Sequence, residues 1–272
     1  MRSCICNHRI LIRVFCALSL ALAIGSPAAP PPVPVSKQTK PVASREKPFE
    51  NGLGMKFVPV ANTRVFFSIW ETRNQDYAAW VKDLALPGDA LSRLQQKPTY
   101  PVANVSWDEA AAFCRWLTDK DRRAGLIGST DRYRLPTDKE WDAAVGPDRY
   151  PWGKKWPTLA ERAKLPGYKP VDGDNLAPVG SFAPNPFGIF DLGGNVLEWC
   201  HDWYRKDMNP TEVLRADERL DDDGGGKKYK VLRGASWVFF DPVNLLSAYR
   251  YANKPEARGG LYGFRCVLEP GR

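Results

Sequence analysis

One segment of this chain carries a sustained helical period, and most of the chain beyond it carries none. Trp107, Ala110, Ala111, Cys114 and Leu117 recur at i, i+3, i+4, i+7 and i+10, which sets them on one face of a helix. Ser106 precedes the run and Glu109 lies three residues on, a capping-box pattern in which each side chain satisfies the other's backbone N–H. From Gly146 onward the chain reads as irregular, with Pro, Gly and Trp alternating through Pro151-Trp152-Gly153. Long loops in a compact domain are functional or are held by something, so what holds these loops is the central question.

Shorter elements flank the helix. Met55–Val60 and Val65–Trp70 read as strands joined at Asn62 and Thr63, both turn formers. Thr72 with Gln75 predicts a second capping box and a short helix with Tyr77, Trp80 and Val81 on one side; Thr137 with Glu140 predicts a third. Lys230–Leu232 and Gly263–Leu268 read as closing strands, and the segment holding Trp199, Cys200 and His201 reads as helical. Asp221 to Gly226 reads as a solvated loop tip; as a calcium loop it lacks EF-hand spacing.

The N-terminus sets the compartment. Arg2, Arg9 and Arg13, the apolar run Val14–Ile24 and the small residues Ser26-Pro27-Ala28 form the pattern of a secretory signal over residues 1–28. The apolar run is too short for a stable membrane span, so no transmembrane segment is expected after cleavage. Residues 29–48, with Pro30, Pro31, Pro32 and Pro34, form a linker unable to bury a core. Residues 49–272 then suit one domain, exported to a periplasmic or extracellular space. Net charge is +8 for the chain, and without the three leader arginines it is only mildly basic. No dense Lys/Arg run interleaves with aromatics, so nucleic acid is not an expected partner.

Side-chain inventory removes several chemistries. The chain has two histidines, His8 in the leader and His201, so a three-histidine metal site cannot be built within it. A Ser-His-Asp hydrolase would have to use His201. Gly193-Gly194-Asn195 lacks the spacing and the lysine of a phosphate loop. Of six cysteines, Cys114, Cys200 and Cys266 remain after cleavage, an odd number that leaves at least one thiol unbridged. The ten tryptophans suit either a stapled core or a binding groove.

An ordered series of motifs across residues 52–269 resembles the formylglycine-generating enzymes, the sulfatase-modifying-factor family. The series runs Trp70-Glu71-Thr72, Pro101-Val102 to Trp107, Arg134-Leu135-Pro136-Thr137, Tyr150-Pro151-Trp152-Gly153, Ala177 to Ser181, Phe187-Gly188 to Trp199, Arg233-Gly234-Ala235-Ser236-Trp237 and Gly263-Phe264-Arg265-Cys266. The resemblance implies an α+β fold, the C-type-lectin-like variant of that family, with much irregular loop.

It also implies specific sites. Structural calcium would sit at the loop of Asp191, Gly194, Val196 and Glu198, with carboxylates from the first and last and backbone carbonyls from the other two; hard oxygen donors suit that ion. The alternative for the same residues is a helix N-terminus whose acids complement the dipole. A second family calcium site maps to Asp172 or Asp174, but Lys164 stands where its asparagine would be. Cys114 and Cys266 match a disulfide pair; the alternative leaves Cys114 a free core thiol. The family's copper site does not carry over. Copper(I) selects thiolates, and Val238 to Asn244, where its two cysteines would stand, contains none. No copper is therefore expected. The vacated groove, with Ser236, Trp237, Phe239, Phe240 and Arg250, would then present aromatics and a cation to a protein, peptide or glycan ligand. The competing expectation is an oxidase of the family that converts a cysteine in sulfatase-like substrates.

Overall fold

The computed structural model describes residues 41–86, 94, 97–156, 176–205, 228–236 and 242–272. The signal at 1–28, residues 29–40 of the linker, Asp172, Asp174, Lys164, Asp221 to Gly226, and Trp237, Phe239 and Phe240 lie outside these residues. Two sheets and three helices form the described domain. Strands β1 (Phe49–Glu50), β2 (Lys56–Pro59), β3 (Phe66–Ser68), β4 (Arg132–Arg134) and β9 (Val267–Glu269) make an antiparallel sheet in the order β1-β2-β3-β9-β4. Strands β5 (Leu197–Trp203), β6 (Lys230–Arg233), β7 (Tyr251–Asn253) and β8 (Tyr262–Gly263) make a second sheet in the order β7-β6-β5-β8. Its β5–β8 pair is parallel and its other pairs antiparallel.

The helices are α1 (Asn74–Asp83), α2 (Trp107–Arg123) and α3 (Asp138–Val145). Two of the expected capping boxes form. Ser106 Oγ accepts from the Glu109 N–H while Glu109 Oε2 accepts from the Ser106 N–H, at 3.3 and 3.0 Å. Thr137 and Glu140 exchange the same pair of bonds at 3.2 and 2.8 Å. The third box moves by one residue. Thr72 is held in extended contact, its N–H donating to Phe264 O and its carbonyl accepting from Val102 N, so α1 begins after Arg73. There Asp76 accepts from the Arg73 N–H at 3.0 Å. Tyr77, Trp80 and Val81 turn inward from α1 as expected.

The helical reading of residues 199–201 is corrected. They lie in β5, at the centre of the second sheet between β6 and β8. Leu197, Glu198, Trp199 and Cys200 are all buried. A strand covered on both faces shows no polar alternation, and that hides its period in the sequence. The expected closing strand Gly263–Leu268 is likewise divided, since Gly263 ends β8 in one sheet and Val267 begins β9 in the other. Arg265 sits at the crossing, fully buried.

Candidate functional site

The loop that enters β5 is wound tightly. Asp191 and Asn195 take positive φ of 58° and 60°, and Gly194 takes 127°, conformations that cost an ordinary residue strain. The carboxamide of Asn195 holds the loop from inside: its Nδ2 donates to Glu71 Oε2 at 2.7 Å and its Oδ1 accepts from the Ala177 N–H at 3.1 Å. Glu71 Oε1 accepts from the Val196 N–H at 3.1 Å. Glu71, Asn195, Val196 and Glu198 have no exposed surface.

Three carboxyl groups gather here against one arginine. Arg265 Nε and one terminal nitrogen grip Glu198 at 2.6 and 2.7 Å, and Trp141 Nε1 donates to the same carboxylate at 3.2 Å. Asp191 Oδ2 accepts from the Gly180 N–H at 2.7 Å, while its Oδ1 is buried with no partner. Burial, compounded by repulsion from Asp191 and Glu198, pushes the Glu71 carboxyl well above its ordinary range. Burial pushes Asp191 up to about 6 against the pull of Gly180 and Arg265. Both shifts come first from burial, and repulsion among the three carboxyl groups adds to it.

Hard oxygen donors of this kind fit calcium in type, and the orphaned Asp191 Oδ1 is the atom that most lacks a partner. Among the described residues no three acidic, histidine or cysteine side chains converge on a single metal position, and Glu198 is held by Arg265. The residues that would hold an ion are Asp191 and the carbonyls of Gly194 and Val196, with Glu198 shared with the arginine. The ion would supply the missing positive charge and clamp the loop. A dipole at a helix N-terminus has no place here, since the segment is a strand.

The other expected residues fall into different settings. Ser236 follows β6, is 1 % exposed, and its Oγ has no partner. Arg250 is bound to two carboxylates. Its Nε donates to both oxygens of Asp138 at 3.0 and 2.9 Å, and a terminal nitrogen donates to Asp142 at 2.8 Å. Arg233 reaches the same two carboxylates and lies over the Trp141 ring at 4.5 Å. Cys114 of α2 and Cys266 are brought together inside the core with sulfurs 3.5 Å apart, both as free thiols. Cys200 is fully buried, and burial pushes its thiol well above the ordinary range.

The motifs by themselves give Glu71, Asn195 and Arg265 no role. A signal was present: Arg265 stands between Phe264 and Cys266, and Glu71 follows Trp70. A charge inside an apolar run must find a partner when buried.

A model of the "Sulfatase-modifying factor enzyme 1-like domain" matches residues 37–270. The chain belongs to that family. A formylglycine-generating enzyme of Thermomonospora curvata is 35 % identical over 202 residues, covering 68 % of this chain and 59 % of the relative. A Bos taurus protein named inactive C-alpha-formylglycine-generating enzyme 2 is 33 % identical over 202 residues, covering 68 % and 56 %. The chain thus spans little more than half the length of these relatives. Among solved structures, PvdO from Pseudomonas aeruginosa aligns over 85 % of this chain and 89 % of its own with a TM-score of 0.56 and 23 % identity. That likeness, with the two sheets and three helices, establishes the α+β fold of the family. No helix among the described residues is long and apolar enough to cross a membrane.

Proposed function

We propose that this family member is an exported binding module that does not oxidise cysteine. The observation that carries the reading is the placement of its thiols. The oxidation chemistry of the family resemblance calls for two reactive cysteines shortly after Arg233-Gly234-Ala235-Ser236, and Trp237 to Asn244 contains none. Cys114, Cys200 and Cys266 are buried, and burial raises the thiols of Cys114 and Cys200; thiols so placed are poor nucleophiles and poor metal ligands. A relative named as inactive supports the same reading. The ligand is a protein, peptide or glycan held near Ser236, Trp237, Phe239 and Phe240, with Arg250 shaping the wall through its carboxylate partners. Cys114 and Cys266 close as a disulfide in an oxidising compartment, tying α2 to the segment before β9.

Relatives named formylglycine-generating enzyme at 35 % and 33 % identity favour the competing reading, an oxidase. One mass-spectrometric experiment separates the two. Folded mature protein, supplied with copper and calcium, is incubated with a Cys-x-Pro-x-Arg peptide. The peptide cysteine is expected to stay unconverted, and non-reducing peptide mapping of the protein is expected to recover Cys114 joined to Cys266. Conversion to the aldehyde overturns the binding-module reading, and two free thiols after export overturn the disulfide.

A further inference from the structure

Beside the carboxyl cluster lies a cavity of about 440 Å³, a volume within the range of small-ligand sites. Apolar groups make most of its wall, with Pro151, Trp152, Phe182, Phe187, Ile189 and Leu192 contributing side chains. Among the described residues its charged lining is Asp148 and Asp191, with no lysine or arginine. A cavity with aromatic faces and only negative charge complements a cation, because the ring quadrupole presents a negative face.

Two orphaned polar atoms belong to this wall. Asp191 is 3 % exposed and its Oδ1 is buried without a partner; Trp152 Nε1 is also buried without one. Buried polar atoms are ordinarily hydrogen-bonded, so a charged acceptor and a donor without partners, in two residues that line one cavity, describe a ligand by its complement. The wall is also firmly built. A Cβ on Gly193 would come within 2.8 Å of Pro151 Cγ and 3.0 Å of Trp152 Cζ3, so the two loops touch with no slack. The Trp152 ring stacks on Tyr150 at 5.4 Å with planes 1° apart. Arg265, whose charge acts on Asp191, is committed to Glu198.

We infer that this cavity binds an alkylammonium group, with Asp191 as its counter-ion and Trp152, Phe182 and Phe187 as its aromatic surround. The inference uses none of the residues Ser236, Trp237, Phe239, Phe240 or Arg250, and its success or failure is independent of the oxidase experiment. The open Trp152 N–H donates to an acceptor on the ligand, such as a hydroxyl or a peptide carbonyl. Because Asp191 Oδ1 is the shared acceptor, calcium and the ammonium ligand compete for it.

Calorimetric titration of the mature protein in calcium-free buffer tests the inference. The probes are choline, Nα-acetyl-lysine methylamide, and 3,3-dimethylbutanol, the neutral isostere of choline. Saturable binding of at least one cation is expected, with no binding of the neutral isostere. Tighter binding of the lysine derivative points to a peptide-borne ammonium, and tighter binding of choline to a free amine. Asp191→Asn is expected to weaken binding by about tenfold or more, equivalent to losing one well-formed polar contact. Phe182→Ala, at a half-buried position, weakens it less, and added calcium weakens it in the unmodified protein. Should Asp191→Asn fail to fold by circular dichroism, Phe182→Ala and the isostere comparison decide. The inference is overturned if neither cation saturates the folded protein, if the isostere binds as well as choline, or if binding is indifferent to both substitutions.

Discussion

Two ionic clusters flank Trp141, one reaching the surface at Asp142 and one buried, and they differ in their balance of charge. On one side Arg233 and Arg250 face Asp138 and Asp142, two cations against two anions. On the other, Glu71, Asp191 and Glu198 share Arg265. Trp141 joins them, its ring under Arg233 and its N–H on Glu198. The first cluster is matched in charge, with Arg233 Nε its one buried atom without a partner: it fastens α3 to β6 and to the chain entering β7. The unbalanced cluster leaves one carboxylate oxygen open and two carboxyl groups raised, the condition of a site that takes a cation. Perturbed carboxyl groups beside a cavity mark function more often than support, while paired ions of matched number mark support.

Removing one arginine from each cluster is the strongest test of this contrast. Arg265→Met strips Glu198 of its paired cation in a fully buried setting and is expected to cost about 3–5 kcal/mol, the range for halving a buried pair. Arg250→Met is expected to cost less, since Arg233 still faces both aspartates. Chemical denaturation reads both, and equal losses would erase the distinction between the clusters. Smaller in effect is removal of calcium. Excess chelator is expected to lower the melting temperature of wild-type protein, by an amount equivalent to about 2.7 kcal/mol if the ion had been at a hundred times its dissociation constant. Asp191→Asn should abolish that shift, and Arg250→Met should leave it intact. An unchanged melting temperature in the chelator would remove calcium from the unbalanced cluster.

The smallest effect belongs to a third, outer ion pair that serves as a reference. A hydrogen bond from Arg134, aided by Arg132, pulls Glu269 down to about 2 against partial burial. A carboxyl group whose folded pKa is depressed adds stability above its unfolded pKa, about 4.3, and that stability is lost as pH falls through about 2. Comparing wild type with Glu269→Gln by denaturation between about pH 5 and 2 should show a small difference that narrows with acid. A constant difference would assign the pair no part in acid sensitivity. Because Arg132 and Glu269 are partly exposed, salt should diminish the effect.

Local chemistry made part of this molecule legible before any fold was known. Ser106 with Glu109 and Thr137 with Glu140 announce helix starts, because a cap is a contact between residues three apart. The inward face of α1 follows from spacing for the same reason. The family fold was legible only through an ordered series of motifs, since short strands and loops carry little period. Cys114 and Cys266 were nameable as a pair from the resemblance, and the structure sets their sulfurs 3.5 Å apart.

The chain therefore carries an inventory along its length: two histidines, no cysteine from Trp237 to Asn244, an acid after Trp70 and an arginine before Cys266. Folding in three dimensions grouped that inventory. It placed Cys200 in a central strand covered on both faces, where a sequence period is invisible. It brought Glu71 to Asn195 across 124 positions, and Arg265 to Glu198 across 67. It also paired Arg250 with Asp138 across 112 positions. Charge balance depends on distance in space and on exclusion of water, and neither quantity is written along the chain.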